Sequence, residues 1–219
     1  SRRAHRAAAL RARPAGFDLV YVYAGHGLGV FQQFLSRATN RRTDEYGGDF
    51  EARLRFTREV AAAVRKEAPE GLIVGLRMSG DEKDADGMDE AGGLAIARAL
   101  APEFDYLNVI AGTSSSAGGA AHIAPSMANA HAYVAPFAAK VKQATGKAVF
   151  VAGRINQPQE AERILAENAA DMCGMTRAMI CDPEMANKAK AGTLDDIRAC
   201  IACNQACIGH FQLGIPISC

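Results

Sequence analysis

The sequence predicts an α/β fold on a parallel sheet, arranged as part of a (β/α)8 barrel. Three observations carry this. Five short, mostly apolar runs read as strands covered on both faces. Amphipathic helical patterns lie between them, and such alternation implies parallel strands joined by right-handed crossovers. The chemistry-bearing residues gather just after the strands, at Tyr23 to Gly29, Arg77 to Ser79, Gly153-Arg154 and Thr176-Arg177. A barrel places its site at the C-terminal ends of its strands, which favours the barrel over a small open sheet.

The elements follow in order. The opening SRRAHRAAALRARPAG is rich in Arg and Ala. A targeting peptide is one reading; an interrupted helix leading into a strand is preferred, because the same unit recurs, with Pro14 and Gly16 marking the break. Strands are predicted at Phe17–Ala24, Leu72–Met78, Asp105–Ile110, Ala148–Ala152 and Asp171–Met175. Helices are predicted at Phe50–Glu67, Glu90–Leu100, Tyr133–Thr145 and Pro158–Glu167, each with apolar positions at helical spacing. Pro158 opens its helix, where a missing N–H costs nothing. No repeat beyond the βα unit and no linker divides the 219 residues, which are enough for one sizeable core.

Lys and Arg number 25 against 24 Asp and Glu, so no strong field recruits nucleic acid or an anionic membrane. No apolar run approaches the ~20 residues of a membrane span. Cys200, Cys203, Cys207 and Cys219 stand as Cys-x2-Cys-x3-Cys-x11-Cys. Three thiolates so close can turn around one centre while the fourth closes the shell, which suits a cubane iron–sulfur cluster. A zinc site is the rival, and the absence of any metal remains open. Clustered thiols argue for a reducing compartment. Cys173 and Cys181 lie in apolar segments and read as buried small hydrophobes. If the fourth and fifth strands close a barrel, a phosphate belongs at Gly153-Arg154 and Thr176-Arg177.

Six ordered segments carry a resemblance: GFDLVYVYAGHG, QFLSRATNRRTDEYGG, LRMSGDE, VAGRINQPQEAERIL, GMTRAMICDPEMANKAKAG and DDIRACIACNQAC. Together they resemble the old yellow enzyme family of FMN-dependent barrels. The chain is most similar to the branch with an iron–sulfur cluster, which includes trimethylamine and histamine dehydrogenases, N-methylproline demethylases and 2,4-dienoyl-CoA reductases. The resemblance implies that the five strands are barrel strands four to eight. Residues 1–195 are then the C-terminal five-eighths of an FMN-binding TIM barrel, and residues 196–219 a [4Fe-4S] cysteine segment opening a further region. On this reading the chain is a fragment that does not turn over substrate by itself.

The resemblance also implies the site. Arg77 faces the N1/O2 side of the flavin, where a cation stabilises the reduced ring. Gly153, Arg154, Met175, Thr176 and Arg177 cradle the FMN phosphate. Cys200, Cys203, Cys207 and Cys219 hold the cluster. Tyr23 and His26 face the substrate as the catalytic pair. Ene-reductases of the family carry His at the first of these positions, whereas Tyr there is similar to the amine dehydrogenases. A Tyr–His pair can favour the deprotonated amine that flavin oxidation needs.

Three departures stand out. The loop AGTSSSAGGAAHIAPSMANAH lacks the aspartate that orients this histidine in trimethylamine dehydrogenase-like enzymes, although His122 and His131 lie in it. Gly27-Leu28-Gly29 lacks an aromatic of the substrate cage. The cysteine spacing is that of the dienoyl-CoA reductases.

The expected function is therefore FMN- and [4Fe-4S]-dependent oxidative N-demethylation or dehydrogenation of a small methylated amine. Electrons pass to a redox partner such as an electron-transfer flavoprotein, and FAD or NAD(P)H belongs to a missing C-terminal part. The alternative is NAD(P)H-dependent reduction of a dienoyl-CoA or another enoate, with an enoyl thioester as substrate. A non-catalytic metal-stapled module is the reading from another class. A cytoplasmic location is expected, with no nucleic acid or membrane partner, and a homo-oligomer is left open. Asn40 to Gly48 reads as a loop locked by ion pairs, Asp81–Asp89 as a solvated acidic loop, and Ser114 to Gly119 as a lid.

Overall fold

The computed structural model describes residues 2–219. Five strands form one sheet: β1 (Leu19–Ala24), β2 (Ile73–Asp81), β3 (Tyr106–Ala111), β4 (Ala148–Ala152) and β5 (Met172–Gly174). All pairs are parallel and the spatial order equals the chain order. Such a sheet never reverses direction, so right-handed crossovers put every connecting helix on the same face. That is the winding of a barrel arc and not of a doubly wound sheet.

The helices are α1 (Arg2–Ala12), α2 (Val30–Leu35), α3 (Phe50–Glu67), α4 (Glu90–Leu100), α5 (Ala117–Ala120), α6 (Ala135–Thr145), α7 (Pro158–Ala166), α8 (Thr176–Cys181), α9 (Met185–Ala191) and α10 (His210–Leu213). Side chains set several of their ends. Asp49 accepts from the Ala52 N–H at 2.8 Å to start α3, and Asp89 does the same from Gly92 for α4. No helix among the described residues is long and apolar enough to cross a membrane.

Alternate residues of the strands fare differently. Val22, Val74, Leu76, Leu107, Val109, Val149 and Val151 are buried with Leu54, Val64, Ile96, Phe137 and Ile164 of the helices. On the other face Tyr21 is 48% exposed and Met172 52%. The expectation of strands covered on both faces is therefore corrected at the edge strands β1 and β5, whereas on the central β2 and β3 Ser79, Tyr106 and Ile110 of that same face are buried. Unbroken apolar runs do not distinguish a face under helices from one that lines an arc. A row runs across that concave face in register: Tyr23, Arg77, Asn108, Phe150 and Met172. One row below, Gly75 is the residue that admits the Tyr106 ring, since a Cβ there would stand 2.2 Å from it.

Two aspartates fasten the N-terminal ends of the strands. Asp105 accepts from the Val74 N–H at 2.8 Å and pairs with Arg65 at 2.9 Å. Asp171 accepts from the Val149 N–H at 2.8 Å and pairs with Lys142 at 2.9 Å. The acidic run after β2 needs a second correction. Glu82 is 2% exposed, not solvated. It accepts from Gln32 Nε2 at 2.5 Å, Ser36 Oγ at 2.8 Å and the Met88 N–H at 2.7 Å, which replace its water. This carboxylate clasps α2 to the loop after β2. The Asn40 to Gly48 loop is held by Asn40, which donates to the Phe34 and Tyr46 carbonyls, and by the Arg42–Asp44 pair. The predicted lid is ordered by its own caps: Ser116 accepts from the Gly119 N–H at 3.1 Å and starts α5.

Candidate functional site

The C-terminal ends of the strands are tied together at His26. This residue has left-handed backbone (φ 59°) directly after β1. Its N–H donates to Ser79 Oγ at 2.9 Å, and that hydroxyl donates to the Gly112 carbonyl at 2.8 Å. Its own carbonyl accepts from the Ser114 N–H at 2.7 Å. Three strand ends thus hold one backbone turn, which sets where the imidazole stands.

His26 Nδ1 lies 2.8 Å from the Tyr23 hydroxyl. Burial, with Arg77 as the second cause, pushes the imidazole down to about 4. The ring is therefore neutral near pH 7. Beside a protonated phenol, Nδ1 of the neutral ring accepts the Tyr23 proton and the N–H sits on Nε2, a tautomer assigned from that one contact. Burial raises the Tyr23 phenol, so it keeps that proton. Arg77 donates to Asn108 Oδ1 at 3.0 Å and lies over the Tyr21 ring. No carboxylate among the described residues pairs with it.

His26, Arg77, Gly153, Arg154, Met175, Thr176 and Arg177, predicted from four separate strand ends, all line one cleft with about 540 Å³ of empty volume. Arg154 has left-handed backbone (φ 51°) and donates through Nη1 to the Asn129 carbonyl, while its Nε is buried with no partner among the described residues. Across the cleft no side chain caps the start of α8, so its first amides have no side-chain acceptor. A buried guanidinium N–H without an acceptor calls for an anion. These residues fit a phosphate group such as that of FMN.

His122 also lines the cleft, and its Nδ1 is buried without a partner among the described residues. Its pKa is lowered, first by burial and then by Lys83. His131, the other histidine of that loop, faces Glu160 instead and is exposed.

The four tail cysteines are not in the cleft. The Cys200 Sγ accepts from the Ala202 N–H at 3.4 Å. Cys219 lies against the buried thiol of Cys181, which is pushed up to about 11 by burial, with Cys219 next in effect and Cys200 adding to it. Among the described residues no group of three or more His, Cys, Asp or Glu is placed to hold a metal ion. The expected closed shell of Cys200, Cys203, Cys207 and Cys219 is thus not formed by the chain's own contacts. Its physical reason is that thiols attract one another weakly, and ligation itself supplies the energy that closes such a site.

Two residues absent from the sequence reading join the tail to the cleft. Asn156 Nδ2 donates to the Cys200 carbonyl at 2.6 Å, and Asn204 Oδ1 accepts from Arg177 Nη1 at 2.5 Å. Asn156 follows Arg154 by two positions and Asn204 follows Cys203 directly, so both sit inside recognised segments. Only the fold shows that those segments meet.

The profile of the NADH:flavin oxidoreductase / NADH oxidase family matches residues 2–196. Among curated proteins, a metal reductase of Desulforamulus reducens is 38% identical over 97% of this chain and 31% of its own length. A dimethylamine dehydrogenase of Hyphomicrobium sp. is 35% identical over 97% of this chain and 29% of its own length. Among solved structures, a 6-hydroxypseudooxynicotine amine oxidase of Pseudomonas geniculata N1 superposes with TM-score 0.87 at 34% identity. A 2-naphthoyl-CoA reductase bound to 2-naphthoyl-CoA does so with TM-score 0.90 at 30% identity. Both superpositions cover 100% of this chain, and 32% and 33% of the other. The chain spans less than a third of the length of these curated relatives.

Proposed function

The chain belongs to the NADH:flavin oxidoreductase / NADH oxidase family, and on that premise we propose that it contributes the flavin-phosphate and substrate side of an amine-oxidising enzyme. The substrate class is a small methylated amine, oxidised by dehydrogenation and N-demethylation. In domain terms, residues 1–195 form strands four to eight of an FMN-binding barrel, and residues 196–219 the cysteine segment.

One observation carries the choice of amine. The Tyr23 hydroxyl lies 2.8 Å from Nδ1 of a neutral His26, and burial keeps the phenol protonated, so Tyr23 is the donor of that bond. Its proton is then committed to His26 and not to a substrate carbonyl oxygen, which an enoate reductase must hold. The phenol oxygen keeps its acceptor capacity, which suits an amine N–H. The neutral histidine and Arg77 together disfavour a protonated amine at that spot, and the deprotonated nitrogen is the reactive form.

FMN, when bound, supplies the two-electron acceptor for the N-methyl carbon. Arg154, Arg177 and the Gly153 turn bind its phosphate, and Arg77 places a positive charge beside the ring. For the tail, three thiolates crowded at x2 and x3 spacing with a fourth after an x11 gap support a [4Fe-4S] cluster over zinc. Electrons then leave to a carrier such as an electron-transfer flavoprotein.

A second reading, NAD(P)H-driven reduction of an enoyl thioester, is supported by the cysteine spacing and by the superposition on 2-naphthoyl-CoA reductase. The native protein, isolated without oxygen, separates the two. Bleaching of its flavin absorbance by N-methylated amines and not by NADPH fits amine oxidation. The opposite pattern sinks it. Iron with acid-labile sulfide, each about four per chain, supports the cluster, whereas one zinc supports a staple.

A further inference from the structure

The loop bearing Cys200, Cys203 and Cys207 touches three strand-end loops at once. Asn204 has left-handed backbone (φ 61°), a conformation that Asn tolerates better than most residues. From there its amide works in two directions. Oδ1 accepts from Arg177 Nη1 at 2.5 Å after β5, and Nδ2 donates to the Ala124 carbonyl at 2.6 Å after β3. Asn156, after β4, reaches the Cys200 carbonyl, and the Met127 N–H donates to the Ala202 carbonyl at 3.0 Å.

A guanidinium offers five donors in a rigid plane. One bond from a fixed acceptor sets the rotation of that plane and leaves the other donors free. A neutral amide oxygen does this without adding negative charge beside a phosphate. Asn204 has both properties, and its backbone is in turn held by the cysteine loop.

We propose that Asn204 is a positioning residue for the flavin phosphate: it fixes the Arg177 guanidinium so that its free N–H groups meet the phosphate, and so makes FMN retention depend on the folded cysteine segment. This rests on the assignment of Arg177 to the phosphate given above.

A double-mutant cycle on FMN affinity tests it, read by quenching of flavin fluorescence. Asn204→Gly keeps the left-handed backbone without strain and deletes both amide bonds. Arg177→Lys keeps the charge and loses the fork. Each single change should raise the FMN Kd about tenfold, and the double should also stand near tenfold, because both remove one arrangement. Independent effects that multiply to about a hundredfold, or an unchanged Kd for Asn204→Gly, overturn the proposal. Asn204→Asp keeps the contact to Arg177 but sets a negative charge against the phosphate. It should weaken FMN while leaving riboflavin affinity unchanged; an equal loss for both ligands means a merely structural role. If the wild-type chain binds FMN no better than riboflavin, the phosphate assignment itself has failed, a result distinct from failure of the cycle.

Discussion

The two ends of the strands solve opposite problems. At the N-terminal ends, Asp105 and Asp171 each accept a backbone amide and pair with a cation. At the C-terminal ends, among the described residues, Arg154 Nε and His122 Nδ1 are buried with no partner and no carboxylate pairs with Arg77. The first arrangement stabilises the sheet by itself. The second costs stability and makes sense when an anion and a substrate complete it. The same parallel sheet therefore has one end for folding and one for binding, as barrel architecture separates them.

This contrast can be broken from either end. The largest effect is expected from acid. His26 is held at about 4 in the folded chain against 6.5 in the unfolded one. Between those values the unfolded state binds the proton and the folded state does not. Stability is thus intact above pH 6.5 and falls as pH drops toward 4, by about 3 kcal/mol in all. Thermal unfolding followed across that range should show the loss, and His26→Gln should flatten it. An equally steep slope in that variant assigns the loss elsewhere.

Next comes the binding end. Arg177→Ala should raise the FMN Kd about a hundredfold, with little change in Tm. At the folding end, Asp105→Ala should lower stability by about 1–2 kcal/mol and leave the FMN Kd unchanged. If Asp105→Ala weakened FMN as much as Arg177→Ala, the division between the ends would be false. The smallest expected effect on binding belongs to Tyr23→Phe, whose FMN Kd should match wild type. Amine oxidation by the native protein should nonetheless slow and its pH profile shift. Unchanged turnover and profile would remove Tyr23 from the chemistry.

Much of this was legible in the sequence because it is local. The Phe50–Glu67 and Glu90–Leu100 helices and the Ala148–Ala152 strand stand where periodicity puts them. The residues after the strands share a cleft because parallel strands bring their ends together. What was hidden depends on contacts across the fold. Glu82 looks like any member of an acidic run, and only Gln32 and Ser36, some fifty positions earlier, make it a buried clasp. Asn156 and Asn204 are ordinary amides until Cys200 and Arg177 arrive beside them. Apolar alternation could not say that the edge strands leave one face exposed at Tyr21 and Met172, since an arc and a sandwich read alike residue by residue. Thiol spacing set out a ligand list, and the positions of the sulfurs in the chain alone do not follow from it.

The most direct measurement compares FMN with riboflavin in equilibrium titrations of this chain, since the two differ only by the phosphate. The account predicts quenching of FMN fluorescence with a Kd about a hundredfold or more below that for riboflavin, the difference shrinking in Arg154→Ala and Arg177→Ala. Equal affinity for the two, or a preference that survives the loss of both arginines, would contradict it.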